Sequence, residues 1–161
     1  MNRTILAFVA TLLAVPAVAA ANPKDVTTPI HQFIDGFNTG DTRSAYAAYG
    51  NSDIVIVDEF APHLWVGPQA AQHWAADYEA HAHATGVSEG SVKYGAPTRT
   101  EVEGDVAYIV LPTVYNYKEH GKALTEAGQM TFVLHAESDA WKIIQWTWTG
   151  ANPHPAKRIS R

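Results

Sequence analysis

Between Asp53 and Tyr78 the chain reads DIVIVDEFAPHLWVGPQAAQHWAADY, and its hydrophobic period changes within that stretch. Ile54 to Val57 is a β-branched run suited to a half-buried pleated surface, with Ile54, Ile56 and Asp58 pointing to one face. A short irregular crossing follows. From Gly67-Pro68 the spacing becomes helical and predicts an amphipathic helix over 68–85, with Ala71, Trp74, Ala75, Tyr78 and Ala82 inward and Gly86 as terminator. A chain that joins one strand to one helix this way must bury both against a common core. A carboxylate sharing a face with two isoleucines then either caps the strand or projects into an apolar pocket.

Before this stretch, Val26, Ile30, Phe33, Ile34 and Phe37 form one apolar stripe, predicting a helix over 22–37 with Pro29 in a first turn. Thr39-Gly40-Asp41 stops it and caps a second helix over 42–49. Afterwards the chain turns to strands: 91–103 with a kink near Gly95-Ala96-Pro97, then 106–117, 124–136 and 141–149. Lys118 to Gly121 reads as a hairpin. Pro112 lacks a backbone N–H and predicts a bulge or an edge at its position. Helices followed by an antiparallel meander make an α+β layout, with helices on one face of a curved sheet.

The N-terminus predicts export. Arg3 supplies a positive region, Ile5 to Val15 an apolar one, and Pro16 to Ala21 small residues, with cleavage expected after Ala19 or Ala21. The apolar run is too short for a bilayer span of roughly 20 residues, so no membrane association is expected after cleavage. The expected domains are a signal peptide over 1–21, one α+β domain over 22–150 and a flexible tail over 151–161; the expected location is a bacterial periplasm. There is no cysteine, so packing alone must hold the fold. Without Arg3, ten Lys and Arg face sixteen Asp and Glu, a net charge of −6 that argues against nucleic acid. Lys157, Arg158 and Arg161 read as a solvated terminus.

Four motifs carry a resemblance spanning essentially the whole mature chain: FIDGFNTGD (33–41), SDIVIVDEF (52–60), WVGPQAAQHW (65–74) and WKIIQWTW (141–148). In order and spacing they resemble the superfamily of nuclear transport factor two, SnoaL-like polyketide cyclases and ketosteroid isomerases. The resemblance implies a cystatin-like α+β barrel, or cone, in which a bent sheet wraps a helix and leaves a deep apolar pocket. It places Asp58 where the isomerases keep their catalytic base. Their oxyanion hole, a tyrosine and a protonated aspartate, is missing: Phe33 and Gly128 stand at those positions. Since such donors often contribute ~100-fold each, steroid isomerisation by that route is not expected.

The candidate site residues follow. Asp58 is a general base or ligand-orienting acceptor, against the alternative that it accepts N–H bonds in its own loop. Glu126 shares a strand face with Leu124, Gly128, Met130 and Phe132, and either joins Asp58 in the pocket or turns outward near the hairpin. Phe33, His63, Trp65, Tyr78, Tyr115, Trp146 and Trp148 are the expected ligand-binding lining, Trp65 at the mouth, and Ile144 is placed on one face with Trp146 and Trp148. His73, Asp77 and His81 fall at i, i+4 and i+8 but read as a solvated helix face, and no metal or cofactor is expected. The expected function is binding of a small apolar or aromatic molecule, with proton transfer by Asp58, or else non-catalytic binding. A homodimer is expected through the outward Thr125, Ala127, Gln129, Thr131 and Val133.

Overall fold

The computed structural model describes residues 25–156, so the expected signal peptide, the predicted helix start at Asn22 and the basic terminus lie outside the described residues. The first helix, α1 (Thr28–Thr39), begins at Pro29, whose fixed φ suits a first turn, and ends at Gly40, which adopts the left-handed conformation (φ 72°). Its stripe of Ile30, Phe33 and Ile34 is buried. Asp41 caps the short α2 (Thr42–Ala47) by accepting from the Ser44 backbone N–H at 3.0 Å. The two helices approach closely because Gly36 has no side chain: a Cβ there would meet the Ala45 backbone nitrogen at 2.8 Å.

β1 (Ile54–Val57) follows, and the irregular crossing contains a further strand, β2 (Leu64–Gly67), which pairs antiparallel with β1. α3 (Ala70–Thr85) starts two residues later than the sequence pattern predicts and ends at Gly86. The segment read as one kinked strand over 91–103 is two: β3 (Val87–Tyr94) and β4 (Arg99–Glu103). β5 (Val106–Glu119), β6 (Lys122–Glu137) and β7 (Ala140–Gly150) form the long meander. A short β8 (His154–Pro155) lies within the segment read as a tail and pairs with Leu124 and Thr125 of β6.

The strand order is β2-β1-β7-β6-β5-β3, with β4 also paired to β5. All pairings are antiparallel except β1 with β7, which makes the sheet mixed. β5 changes partner along its length. Residues 106–110 pair with β4 and residues 113–119 with β3. Pro112 sits at that handover: its carbonyl accepts from Gly95 N at 3.0 Å, so its missing N–H also faces the junction and not a continuous ladder. The proline thus marks a break between two neighbouring strands on one side of a central strand.

A second irregularity corrects the reading of β7. Its pairing with β6 slips between Val133–Gln145 and Leu134–Ile143, leaving Ile144 as the bulged residue. Ile143 therefore joins the core, fully buried, and the inward face runs Trp141, Ile143, Trp146, Trp148. Inside the cone, Phe33 of α1 meets Trp146 at 5.5 Å and Phe132 at 6.4 Å between ring centroids. Each such ring removes apolar area worth about 1.5–3 kcal/mol from water. Among the described residues no helix is long and apolar enough to cross a membrane.

Candidate functional site

β1 ends because the chain turns at Asp58, where a tight loop is closed by Asp58 N–H donating to the His63 carbonyl at 3.1 Å. Alternation carries the Asp58 side chain to the same inward face as Ile54 and Ile56. There Oδ2 accepts from the Trp74 indole N–H at 2.8 Å, and Oδ1 accepts from the Glu59 backbone N–H at 2.8 Å. Asp58 therefore places one oxygen in its own loop and one across the core. Burial pushes its pKa up to about 6, against the lowering effect of the Trp74 and Glu59 hydrogen bonds.

Asp58 lines a cavity of about 70 Å³ enclosed by α1, α3, the β1 exit and the inner faces of β3, β5, β6 and β7. Of the residues expected to line a pocket, the structure brings Asp58, Phe33, Tyr78, Tyr115, Trp146 and Trp148 together around it. Ile34, Phe37, Glu59, Phe60, Trp74, Val92 and Met130 complete the wall. Two sequence candidates lie elsewhere. His63 is exposed, with φ 73°, and its Nδ1 lies 3.2 Å from the Asp58 carbonyl in the loop. Trp65 packs on Phe60 at 5.1 Å, behind the wall and not at a mouth, and its indole N–H donates to Asp77 at 2.8 Å. That bond gives Asp77 a structural partner. His81 of the same helix stacks on Phe60 at 5.2 Å.

Glu126 points inward, 2 % exposed. Its neighbour is Glu59, not Asp58. Glu59 reaches the cavity from the position after Asp58 and accepts from the Trp148 indole N–H at 3.2 Å. Partial burial pushes the Glu59 pKa up to about 7, and the hydrogen bond and negative charge of Glu126 push in the same direction. Two glycines make the room. A Cβ on Gly150 would collide with Glu126 Oε1, and a Cβ on Gly128 would meet the Trp148 ring at 2.9 Å. Gly128 is therefore a floor for an indole and supplies no oxyanion donor.

The remaining polar atoms are the Tyr78 and Tyr115 hydroxyls, 2.7 Å apart. Burial raises the pKa of both. Gly90 of β3 lets them meet: a Cβ there would lie 2.5 Å from the Tyr78 oxygen and 2.9 Å from that of Tyr115. Sequence reasoning missed Glu59 because it follows the strand, where alternation no longer assigns a face. It missed the polar role of Trp74 because helical spacing marks a tryptophan only as buried.

A curved mixed sheet closed over a helix, with an acid-bearing apolar cavity at its centre, defines the α+β cone of the nuclear transport factor two-like class. Within it the chain belongs to the SnoaL-like domain family, whose sequence profile matches residues 26–148. No curated protein sequence matches the chain significantly. Among solved structures, a ketosteroid isomerase-like protein from Erwinia carotovora atroseptica SCRI1043 superposes with a TM-score of 0.61 at 17 % identity, covering 80 % of this chain and 95 % of that one. The hexachlorocyclohexane dehydrochlorinase LinA-type3 from Novosphingobium barchaimii LL02 gives 0.69 at 12 % identity, covering 83 % and 89 %. A nuclear transport factor 2-like protein from Salmonella enterica gives 0.64 at 16 % identity, covering 83 % and 91 %. At these identities the likeness establishes the fold alone.

Proposed function

We propose that the chain is an exported protein that binds one compact apolar or aromatic molecule in the cone and transfers a proton from it to Asp58. The observation that carries this reading is the Asp58 carboxylate on the cavity wall, held by Trp74 and ionising at about 6. A base in that range is mostly ionised at neutral pH yet still basic enough to accept a proton. Each of its oxygens keeps a second lone pair after its observed hydrogen bond. In the tyrosine pair one O–H is spent on the other oxygen, so the second is free to donate to a polar atom of the bound molecule. Neither Phe33 nor Gly128 supplies such a donor, so the two tyrosines take over the orienting role. At about 70 Å³ the cavity exceeds several-fold the ~10–15 Å³ needed to hold a single water, which is room for a compact guest.

Native mass spectrometry of the protein purified from a periplasmic extract tests the binding, with a co-purifying small molecule as the expected result. Hydrogen–deuterium exchange into that molecule tests the proton transfer: exchange is expected with the wild type and lost in Asp58→Asn. Binding that survives while exchange is absent in both proteins refutes the catalytic part. Export is tested by N-terminal sequencing of the mature protein, expected to start at Ala20 or Asn22. The proposed homodimer uses the outer face of β6, where Ala127 and Gln129 are exposed. Light scattering that returns the mass of one protomer at micromolar concentration refutes it.

A further inference from the structure

The cavity wall has an uneven charge. Two of its thirteen lining residues, Asp58 and Glu59, are acidic, and none is Lys, Arg or His. Glu126 adds a third carboxyl group against Glu59, buried to 2 % exposure where a carboxylate is costly without a counter-charge. The ion pairs among the described residues are peripheral: Arg99–Glu101, Lys118–Glu89 and His135–Asp105. The rest of the wall is largely aromatic, including Phe37, Trp74, Tyr115 and Trp146, and aromatic rings attract positive charge.

We infer that the bound molecule is a small organic ammonium ion, its nitrogen against Glu59 backed by Glu126 and its apolar body against Trp74 and Trp146. This rests on the small-molecule reading of the cavity and names the class of molecule it takes. With two acidic residues and no Lys, Arg or His on the wall, carboxylates and phosphates are disfavoured, and an aromatic lining that attracts a cation distinguishes an amine from a neutral isostere. The ammonium group supplies Glu59 with the counter-charge that the cavity wall lacks. The groups facing Glu59 are Asp58 before it, Glu126 on β6, Trp148 on β7, His81 on α3, and Tyr115 and Tyr117 on β5. Only His81 among them bears a positive charge when protonated, and its effect is the smallest of those acting on Glu59.

The test is isothermal titration calorimetry of the mature protein with benzylammonium, benzyl alcohol and benzoate, which share a body and differ in charge. At about pH 8 benzylammonium is expected to bind at least ~10-fold tighter than benzyl alcohol, and benzoate not at all. Lowering the pH to about 6 protonates Glu59, which ionises at about 7, so benzylammonium should weaken more than benzyl alcohol. Glu59→Gln should remove the preference for the amine, bringing benzylammonium to within about twofold of benzyl alcohol, and Glu126→Gln should reduce it. Equal binding of benzylammonium and benzyl alcohol to the wild type overturns the inference and leaves the pocket reading standing. A preference that persists in both variants overturns it too. If no probe binds at millimolar concentration, both readings fall.

Discussion

Replacing Asp58 by asparagine converts the central claim about the cavity into a stability measurement. Asp58 ionises at about 6 in the folded chain against 3.8 for an unperturbed aspartate, a shift of roughly two units, or about 3 kcal/mol at ~1.4 kcal/mol per unit. The sign follows from linkage: the folded state holds the proton more tightly than the unfolded state between those two values. Below about 4 both states are protonated and Asp58 carries no penalty. As pH rises through 6 the wild type loses up to about 3 kcal/mol, a ceiling because the carboxyl group keeps some contact with water. Asparagine does not titrate, so its pH profile lacks this loss. It does give up one acceptor, leaving either the Trp74 or the Glu59 N–H unpaired, at about 1–3 kcal/mol independent of pH. The assay is urea unfolding of both proteins in steps from about pH 4 to pH 7.5, where groups common to both cancel to first order. Asp58→Asn should start less stable than wild type and gain about 3 kcal/mol on it across the range. Two parallel profiles would refute the claim that Asp58 is desolvated.

Other substitutions separate the roles of the neighbouring groups. Trp74→Phe keeps an aromatic side chain but removes the indole N–H from Asp58, and a carboxyl-carbon NMR titration should show Asp58 ionising above 6. Gly90→Ala forces a methyl group into the Tyr78–Tyr115 pair; it should cost about 1–3 kcal/mol in denaturant unfolding and weaken benzyl alcohol binding. Trp65→Phe removes the bond to Asp77 and part of the buried ring, so it should lower stability by about 1–3 kcal/mol and leave benzyl alcohol affinity unchanged.

How far the sequence discloses this site depends on where each residue sits relative to regular structure. Ile54, Ile56 and Asp58 follow strand alternation to the end of β1, and Phe33, Ile34 and Phe37 follow helical spacing, so their inward placement is legible. The α+β cone follows from those periods together with the four quoted motifs. β2 is hidden because four residues, two of them exposed apolar ones, carry no alternation signal of their own. Ile144 is misplaced because a bulge adds a residue to β7 without any local mark such as glycine or proline. The approach of Glu126 to Glu59 joins residues 67 positions apart, and no local period encodes it.

Asp58 and Glu59 are adjacent in the chain, and both reach the cavity because the strand stops just before them. Their separation is therefore set by a peptide unit and not by the fit of one wall against another. Substitutions that enlarge, narrow or re-tilt the aromatic walls can retune which body is admitted without dispersing the two acids. A lineage descending from such a chain can diversify its guests while inheriting its acid pair intact.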